Sequence, residues 1–387
     1  MIPPIGQPLS PAEAMRLAIR EGGEGAGFVA PNPLVGCTIL DRDHRFLAVG
    51  AHRKVGFDHA EIDALKKISD PAKLVGAHFY VTLEPCAHQG RTPSCAKTLA
   101  PLKLGSLTYA VQDPNPLVAG KGAEILREAG VKTSLVTERE DVPEAAALAQ
   151  EAEDLAEIFL HNYRSKLPFV AVKVGTSLDG KMAMVTGESK WITGEKAREH
   201  VHVLRASYDA VVVGRNTFVA DDPSLNVRHA RFSGFKNKAV VLDPEGKTLA
   251  AMGQSNLLKV RDPKSVFAVV GERAEVTNPF GVRLIRIRES EEGDFDIREM
   301  LEALKAEGLT SLMIEGGAQT YGSFFNQSQV QRLHVYQAPI LLGGRHGVAW
   351  STHFGGKSIA DKIHITGTRR EILGEDLYWT GRIGFKI

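Results

Sequence analysis

Residues 77–83, Ala-His-Phe-Tyr-Val-Thr-Leu, are an apolar run that passes without a turn into Glu84-Pro85-Cys86. A short run of this kind is a buried strand, and a strand in the core needs other layers of structure packed on it. Cys86 therefore stands at a strand end, where the chain can start a helix. A cysteine at a helix N-terminus is readily held as thiolate.

The surrounding pattern alternates strands and helices. Ser10-Pro11-Ala12-Glu13 is a helix start with a capping box and a proline at the first helical position. Residues 35–40 and 45–49 read as strands, 59–68 as a helix, 107–111 as a strand, and 122–129 as a helix stopped by Gly130. This alternation indicates a layered α/β domain. Residues 142–163 are helical, and Pro168 resets the chain into a strand over 169–174. The expected organisation is a first domain over 1–150, a linker helix over 151–166 and a second domain over 167–387. In the second half, strands are expected at 210–213, 239–242, 266–270, 284–287, 311–314 and 333–336, and helices at 195–206, 297–306 and 318–326.

Around this strand lie His59-Ala60-Glu61 and, after eight intervening residues beyond Cys86, Cys95. One histidine and two thiolates are zinc ligands, and three protein ligands leave a fourth position for water, as in a catalytic site. Zinc lowers the pKa of bound water from about 15.7 to roughly 7. Glu61 is too close to His59 to be a comfortable co-ligand, yet it reaches the same water, which makes it the candidate proton shuttle. A structural zinc needs a fourth protein ligand. The remaining cysteine, Cys37, follows Gly36 in a strand and reads as a core residue.

H-x-E followed by P-C is the zinc deaminase signature, in which the second cysteine ordinarily follows after about two residues. Here residues 87–94 intervene. The longer loop, with His88-Gln89-Gly90-Arg91-Thr92-Pro93, resembles that of the riboflavin-pathway pyrimidine deaminases. So do Pro31-Asn32-Pro33-Leu34-Val35-Gly36, His52, Thr82-Leu83-Glu84-Pro85-Cys86 and Gln112-Asp113-Pro114-Asn115-Pro116. The resemblance implies that Asn32, His52, Arg91, Asp113 and Asn115 line a substrate pocket. Read alone, Asn32 is equally a turn residue and Arg91 a solvated loop charge.

No G-x-G-x-x-G follows any strand, so no Rossmann fingerprint is present. Gly246-Lys247-Thr248 and Gly356-Lys357-Ser358 lack the upstream glycine of a P-loop. Residues 312–323, Leu-Met-Ile-Glu-Gly-Gly-Ala-Gln-Thr-Tyr-Gly-Ser, instead form a buried strand, two glycines and a helix start. Amides at such a terminus can bind phosphate, although the same turn also serves tight packing.

With the Val172–Lys181, Thr186–Thr193, Val213–Thr217 and Ala220–Leu225 segments, this stretch resembles the reductase half of the bifunctional riboflavin-biosynthesis deaminase–reductases. That family implies a cytidine-deaminase-like α/β/α domain followed by a dihydrofolate-reductase-like α/β domain. It implies one zinc ion, NADPH and a phosphoribosyl-pyrimidine substrate. Carried over by position, Gly175, Trp191, Thr217, Asp221 and Gly317, Ala318, Gln319, Thr320, Tyr321, Gly322 and Ser323 hold NADPH. Ser189, Arg205, Leu225, Arg228 and Glu315 hold substrate. Either Asp221 or Lys173 assists protonation. Pro244 stands where the family has a small polar residue, which puts that cofactor contact in question.

Composition closes off several classes. The net charge of +1 gives no pull toward nucleic acid or anionic membrane. Three cysteines fit a reducing, cytoplasmic setting rather than a disulfide framework. No apolar run is long enough for a membrane span. A homo-oligomer is expected. Two rivals remain: a nucleic-acid base deaminase with an appended domain, and a zinc-stabilised interaction protein.

Overall fold

The computed structural model describes residues 1–88, 93–115, 119–290, 294–344, 347–356 and 358–385. The chain divides into two compact units, Met1–Ser165 and Lys166–Ile387.

Among the described residues the first unit contains strands β1 (Gly36–Leu40), β2 (Phe46–Ala51), β3 (His78–Leu83), β4 (Ser106–Val111) and β5 (Lys132–Leu135). They form one sheet in the order β2-β1-β3-β4-β5. β1 runs antiparallel to β2 and β3, whereas β3, β4 and β5 are mutually parallel. Helices α1 (Pro11–Gly22), α2 (Ala60–Leu65), α3 (Cys95–Leu99), α4 (Lys121–Glu128), α5 (Ala145–Leu155) and α6 (Glu157–Arg164) cover it.

The apolar run of β3 is explained by burial on both faces. Phe79 and Val81 pack with Ala60, Ala64, Ala96, Leu99 and Ala123, while Tyr80 and Leu83 pack with Ala14, Leu17, Leu148 and Leu160. Successive side chains point to opposite faces, so a strand between two helical layers is apolar throughout. The capping box at Ser10 and Glu13 forms as expected.

Ala152, Ala156 and Leu160 lie in the first unit's core, and the helical stretch breaks at Ala156 into α5 and α6. One local expectation is corrected. Helix formation after β3 begins at Cys95, not at Cys86, because Ser94 rather than Pro85 supplies the cap, its hydroxyl accepting from the Lys97 amide.

The second unit contains β6 (Phe169–Ser177), β7 (Lys181–Ala183), β8 (Ala210–Gly214), β9 (Lys238–Leu242), β10 (Val266–Gly271), β11 (Arg283–Ile287), β12 (Ser311–Ile314), β13 (Arg332–Ala338), β14 (Val348–Ala349), β15 (His364–Leu373) and β16 (Asp376–Gly384). The main sheet has the order β11-β10-β9-β8-β12-β6-β13-β16-β15. It is parallel from β11 to β13 and antiparallel thereafter. Its helices are α7 (Glu195–Ala206), α8 (Arg215–Asp221), α9 (Asn256–Lys259), α10 (Ile297–Ala306) and α11 (Ala318–Asn326). Parallel strands with intervening helices are the layered α/β arrangement expected of this half.

Candidate active sites

The first site is built at the end of β3. His59 is the residue immediately before α2, Cys95 is the first residue of α3, and Cys86 lies just beyond β3. Ser94 ties the last two together, donating its hydroxyl to the Cys86 carbonyl at 2.7 Å. The Cys86 and Cys95 sulfurs lie 3.6 and 3.4 Å from His59 Nδ1. All three donor atoms lie within 4.8 Å of one another. Zinc bonds of about 2.3 Å to sulfur and about 2.0–2.1 Å to nitrogen, at a tetrahedral angle, subtend edges of roughly 3.6 Å. The donor set and its spacing therefore fit zinc, with no fourth protein ligand among the described residues.

The electrostatics agree. Cys86 is pulled down to about 4 by hydrogen bonding from Cys95, against burial, and by His59. Cys95 is pushed up by sharing that bond with Cys86 and by burial. Two adjacent thiols cannot both ionise without a cation between them. Glu61 is 3 % exposed, and burial raises its pKa.

A cavity of about 500 Å³ opens on this cluster, lined by Asn32, His52, Glu61, Asp113 and Asn115 among others. Four of the five expected pocket residues are thus brought together; Arg91 lies outside the described residues. His52 Nδ1 pairs with the Asp58 carbonyl at 3.0 Å and its Nε2 with the Asn32 amide nitrogen at 3.1 Å. A carbonyl only accepts, so Nδ1 carries the proton and Nε2 accepts from Asn32. Burial lowers the His52 pKa, consistent with that neutral ring. Asp113 accepts from the Asn115 amide at 2.8 Å and is raised by burial.

Sequence reasoning missed Glu84, Phe159 and Tyr163, which also line the cavity. Glu84 accepts from the Gly120 and Ala123 amides at 3.0 and 3.3 Å, fastening the start of α4 to the strand end that carries Cys86. Its partners lie 36 and 39 residues away, so no local pattern announces this. α4 can approach so closely because position 122 is glycine: a Cβ there would stand 1.8 Å from the Pro85 carbonyl oxygen.

In the second unit a cavity of about 570 Å³ lies at the carboxyl ends of β8 and β9 and the start of α11. Thr217, Gly317, Ala318, Gln319, Thr320 and Ser323 line it. A crevice outside the carboxyl ends of parallel strands is the usual ligand position in such sheets. The strand–Gly-Gly–helix turn forms, with Gly317 as the residue before α11. Position 316 must be glycine, since a Cβ would meet Thr320 Cβ at 2.6 Å. Open amides at a helix start and a groove of this size fit a dinucleotide phosphate.

The remaining expected cofactor residues do not line this cavity. Tyr321 is buried and donates its hydroxyl to the Lys173 carbonyl at 2.8 Å. Gly322 packs against His353. Gly175 pairs with Tyr336 across β6 and β13. Trp191 is exposed beneath the Arg198 guanidinium, and Asp221 pairs with Lys190 at 3.4 Å. Pro244 lines the cavity, its carbonyl taken by the Gly271 amide. The Gly246-Lys247-Thr248 near-motif is a turn closed by Asp243, which accepts from the Thr248 amide at 2.6 Å.

Of the expected substrate residues, Arg205 and Glu315 meet in a separate polar cluster. Glu315 is buried against Arg205 and Lys173. Burial pushes its carboxyl up, but the two cations outweigh burial and hold it below the usual carboxylate range. Arg205 also donates to the Asn226 carbonyl at 3.0 Å, so it is committed to the protein rather than presented as a free fork. Arg228 is exposed and donates to the Asn226 side chain at 3.1 Å. Leu225 is buried, and Ser189 is partly exposed.

Known proteins match both halves. Residues 10–111 match the cytidine and deoxycytidylate deaminase zinc-binding region, and residues 168–374 match the RibD C-terminal domain. The riboflavin biosynthesis protein RibD of Bacillus amyloliquefaciens is 37% identical over 374 residues, covering 95% of this chain and 94% of its own length. A structure of Acinetobacter baumannii RibD superposes with a TM-score of 0.76 at 31% identity, covering 97% of this chain and 99% of that one. The diaminohydroxyphosphoribosylaminopyrimidine deaminase/5-amino-6-(5-phosphoribosylamino)uracil reductase of Thermotoga maritima superposes with a TM-score of 0.75 at 28% identity, covering 97% and 99%. With its deaminase half, its reductase half and its full length all matched, the chain belongs to the RibD family of bifunctional riboflavin-biosynthesis enzymes, which join a zinc-dependent deaminase to an NADPH-dependent reductase.

Proposed function

We propose that this enzyme deaminates 2,5-diamino-6-(5-phosphoribosylamino)pyrimidin-4(3H)-one and then reduces the ribosyl group of the product to ribityl. The observation that carries the reading is the convergence of His59, Cys86 and Cys95 beside buried Glu61 in one cavity.

His59, Cys86 and Cys95 hold the metal. Zinc bound there supplies a water acidic enough to act as nucleophile at neutral pH. Glu61, whose pKa burial raises, would be the group beside such a water able to accept a proton and return one to the departing amine. Asn32 donates one N–H to neutral His52, which leaves its carbonyl oxygen and second N–H for a pyrimidine edge. Asp113, Asn115 and the undescribed Arg91 complete the substrate pocket.

In the reductase half, the α11 start and Thr217 hold NADPH, which supplies the hydride. Gly175, Trp191, Asp221, Tyr321 and Gly322 belong to the cofactor set by resemblance alone. Ser189, Arg205, Leu225, Arg228 and Glu315 hold the phosphoribosyl substrate. For the proton, Lys173 has the stronger support, because its ammonium lies among the substrate residues at 2.8 Å from Glu315. Asp221 is instead engaged with Lys190.

The near-neutral charge supports a small-molecule substrate rather than a nucleic acid, and the low cysteine count supports a cytoplasmic setting. No helix among the described residues is long and apolar enough to cross a membrane. Self-association is expected, and analytical sedimentation tests it. The reading as a whole is tested by Glu61→Gln. Ammonia release should cease while NADPH oxidation on the deaminated intermediate continues; loss of both activities in a folded variant would argue against two separate sites.

A further inference from the structure

Arg261 enters neither the sequence motifs nor the family resemblance. It lies just after α9. Its Nη1 donates to the Ser224 carbonyl at 2.5 Å and its Nη2 to Asn237 Oδ1 at 3.0 Å. Its Nε is buried and has no hydrogen-bond partner. Among the described residues no carboxylate lies within ion-pair distance of it.

The segment it grips is held with unusual completeness. Three successive carbonyls are taken by side chains from outside: Ser224 by Arg261, Leu225 by Asn237 at 2.8 Å, and Asn226 by Arg205 at 3.0 Å. Asn237 links two of these holds, since it accepts from Arg261 and donates to Leu225. Between the clamps, Leu225 has φ 51°, a left-handed conformation that a bulky residue adopts only when its surroundings enforce it. The last member of the chain is Arg228, which is exposed and donates to the Asn226 side chain.

Charge sharpens the picture. Lys173 and Arg205 share one carboxylate, Glu315, leaving a local positive excess. Burial first, and the Arg205 charge second, lower the pKa of both Arg228 and Arg261. A protein maintains such an uncompensated cluster at a cost, which a bound anion of matching charge relieves.

We propose that Arg261 is a positioning residue for the reductase substrate. It locks the left-handed turn at Leu225, and that turn presents Arg228 to the substrate's 5'-phosphate. The proposal rests on the assignment of Arg228 to the phosphoribosyl substrate.

The probe is ribose 5-phosphate as a competitive inhibitor of NADPH oxidation by the full-length enzyme. Arg261→Met is expected to raise its inhibition constant about tenfold or more, with a parallel rise in substrate KM exceeding any fall in kcat. NADPH affinity by fluorescence and ammonia release from the other half should stay within about twofold, showing that the protein is folded. Arg261→Lys, which keeps the charge but not the two-pronged grip, should show a smaller rise in the same direction. If Arg261→Met does not fold, Arg261→Lys decides. An unchanged inhibition constant in the folded Arg261 variant, beside a raised one in Arg228→Met, overturns this proposal and leaves the phosphate assignment standing. Unchanged constants in both variants overturn the assignment itself, and the proposal with it.

Discussion

Arg205 and Glu315 meet through two parallel bonds, Nε to Oε1 at 2.6 Å and Nη2 to Oε2 at 3.0 Å, across 110 residues of sequence. Lys173 reaches the same carboxylate at 2.8 Å. Removing one member of a buried pair leaves uncompensated charge, at a cost of about 3–5 kcal/mol. Glu315→Gln is expected to destabilise the second unit by that amount, read as a lower denaturant midpoint. The folded carboxyl titrates below its unfolded value of about 4.3. Its contribution is therefore complete above roughly pH 4.3 and fades as pH falls. The gap between wild type and variant should narrow in acid; a constant gap would contradict the pairing.

His202 accepts the Arg228 amide on Nδ1 at 3.2 Å. Burial, then Arg205 and Arg228, lower its pKa to about 4. As pH falls the unfolded chain takes up this proton first, near its ordinary value of about 6.5. Stability from neutral His202 is thus full above about pH 6.5, and is lost as pH falls towards about 4. His202→Asn should flatten the stability–pH curve within that window, measured by urea unfolding at several pH values.

The zinc cluster joins α2, α3 and the end of β3. Dialysis against a strong chelator should reduce ammonia release to background and free two reactive thiols, with activity returning on addition of zinc. NADPH oxidation on the deaminated intermediate should survive. Loss of both activities on chelation would place a metal requirement in the second half as well.

Gly122→Ala puts a Cβ against the Pro85 carbonyl oxygen. Neither backbone can yield without moving α4 away from Glu84, so the cost should exceed about 1–3 kcal/mol, the range for ordinary overpacking. Thermal unfolding of the first unit should shift down, and ammonia release should fall more than NADPH oxidation. An unchanged melting curve would show that α4 is not anchored at this contact.

The reach of local pattern is visible in these residues. His59, Glu61, Cys86 and Cys95 could be read because zinc chemistry restricts residue type and short spacing. The strand–Gly-Gly–helix turn at Gly316 and Gly317 was readable for the same reason. β15 was not, since its residues are nearly all exposed and show no alternation. A helix's amphipathic face does not say which core it enters; Ala152 and Leu160 enter the first. Arg205 could be recognised as a cation able to bind phosphate, but not as one already committed to Glu315.

The sequence by itself determined the layered α/β class, the His59, Cys86 and Cys95 cluster and the family, since each depends on residue type and short spacing. Only the tertiary structure decided that Glu84 pins α4 to the metal-bearing strand end, that His52 is neutral and donates from Nδ1, and that Arg205 and Arg261 close on one short segment. Those facts depend on which partner lies nearest in space, and burial gives such pairings their strength. No local sequence pattern announces such partners.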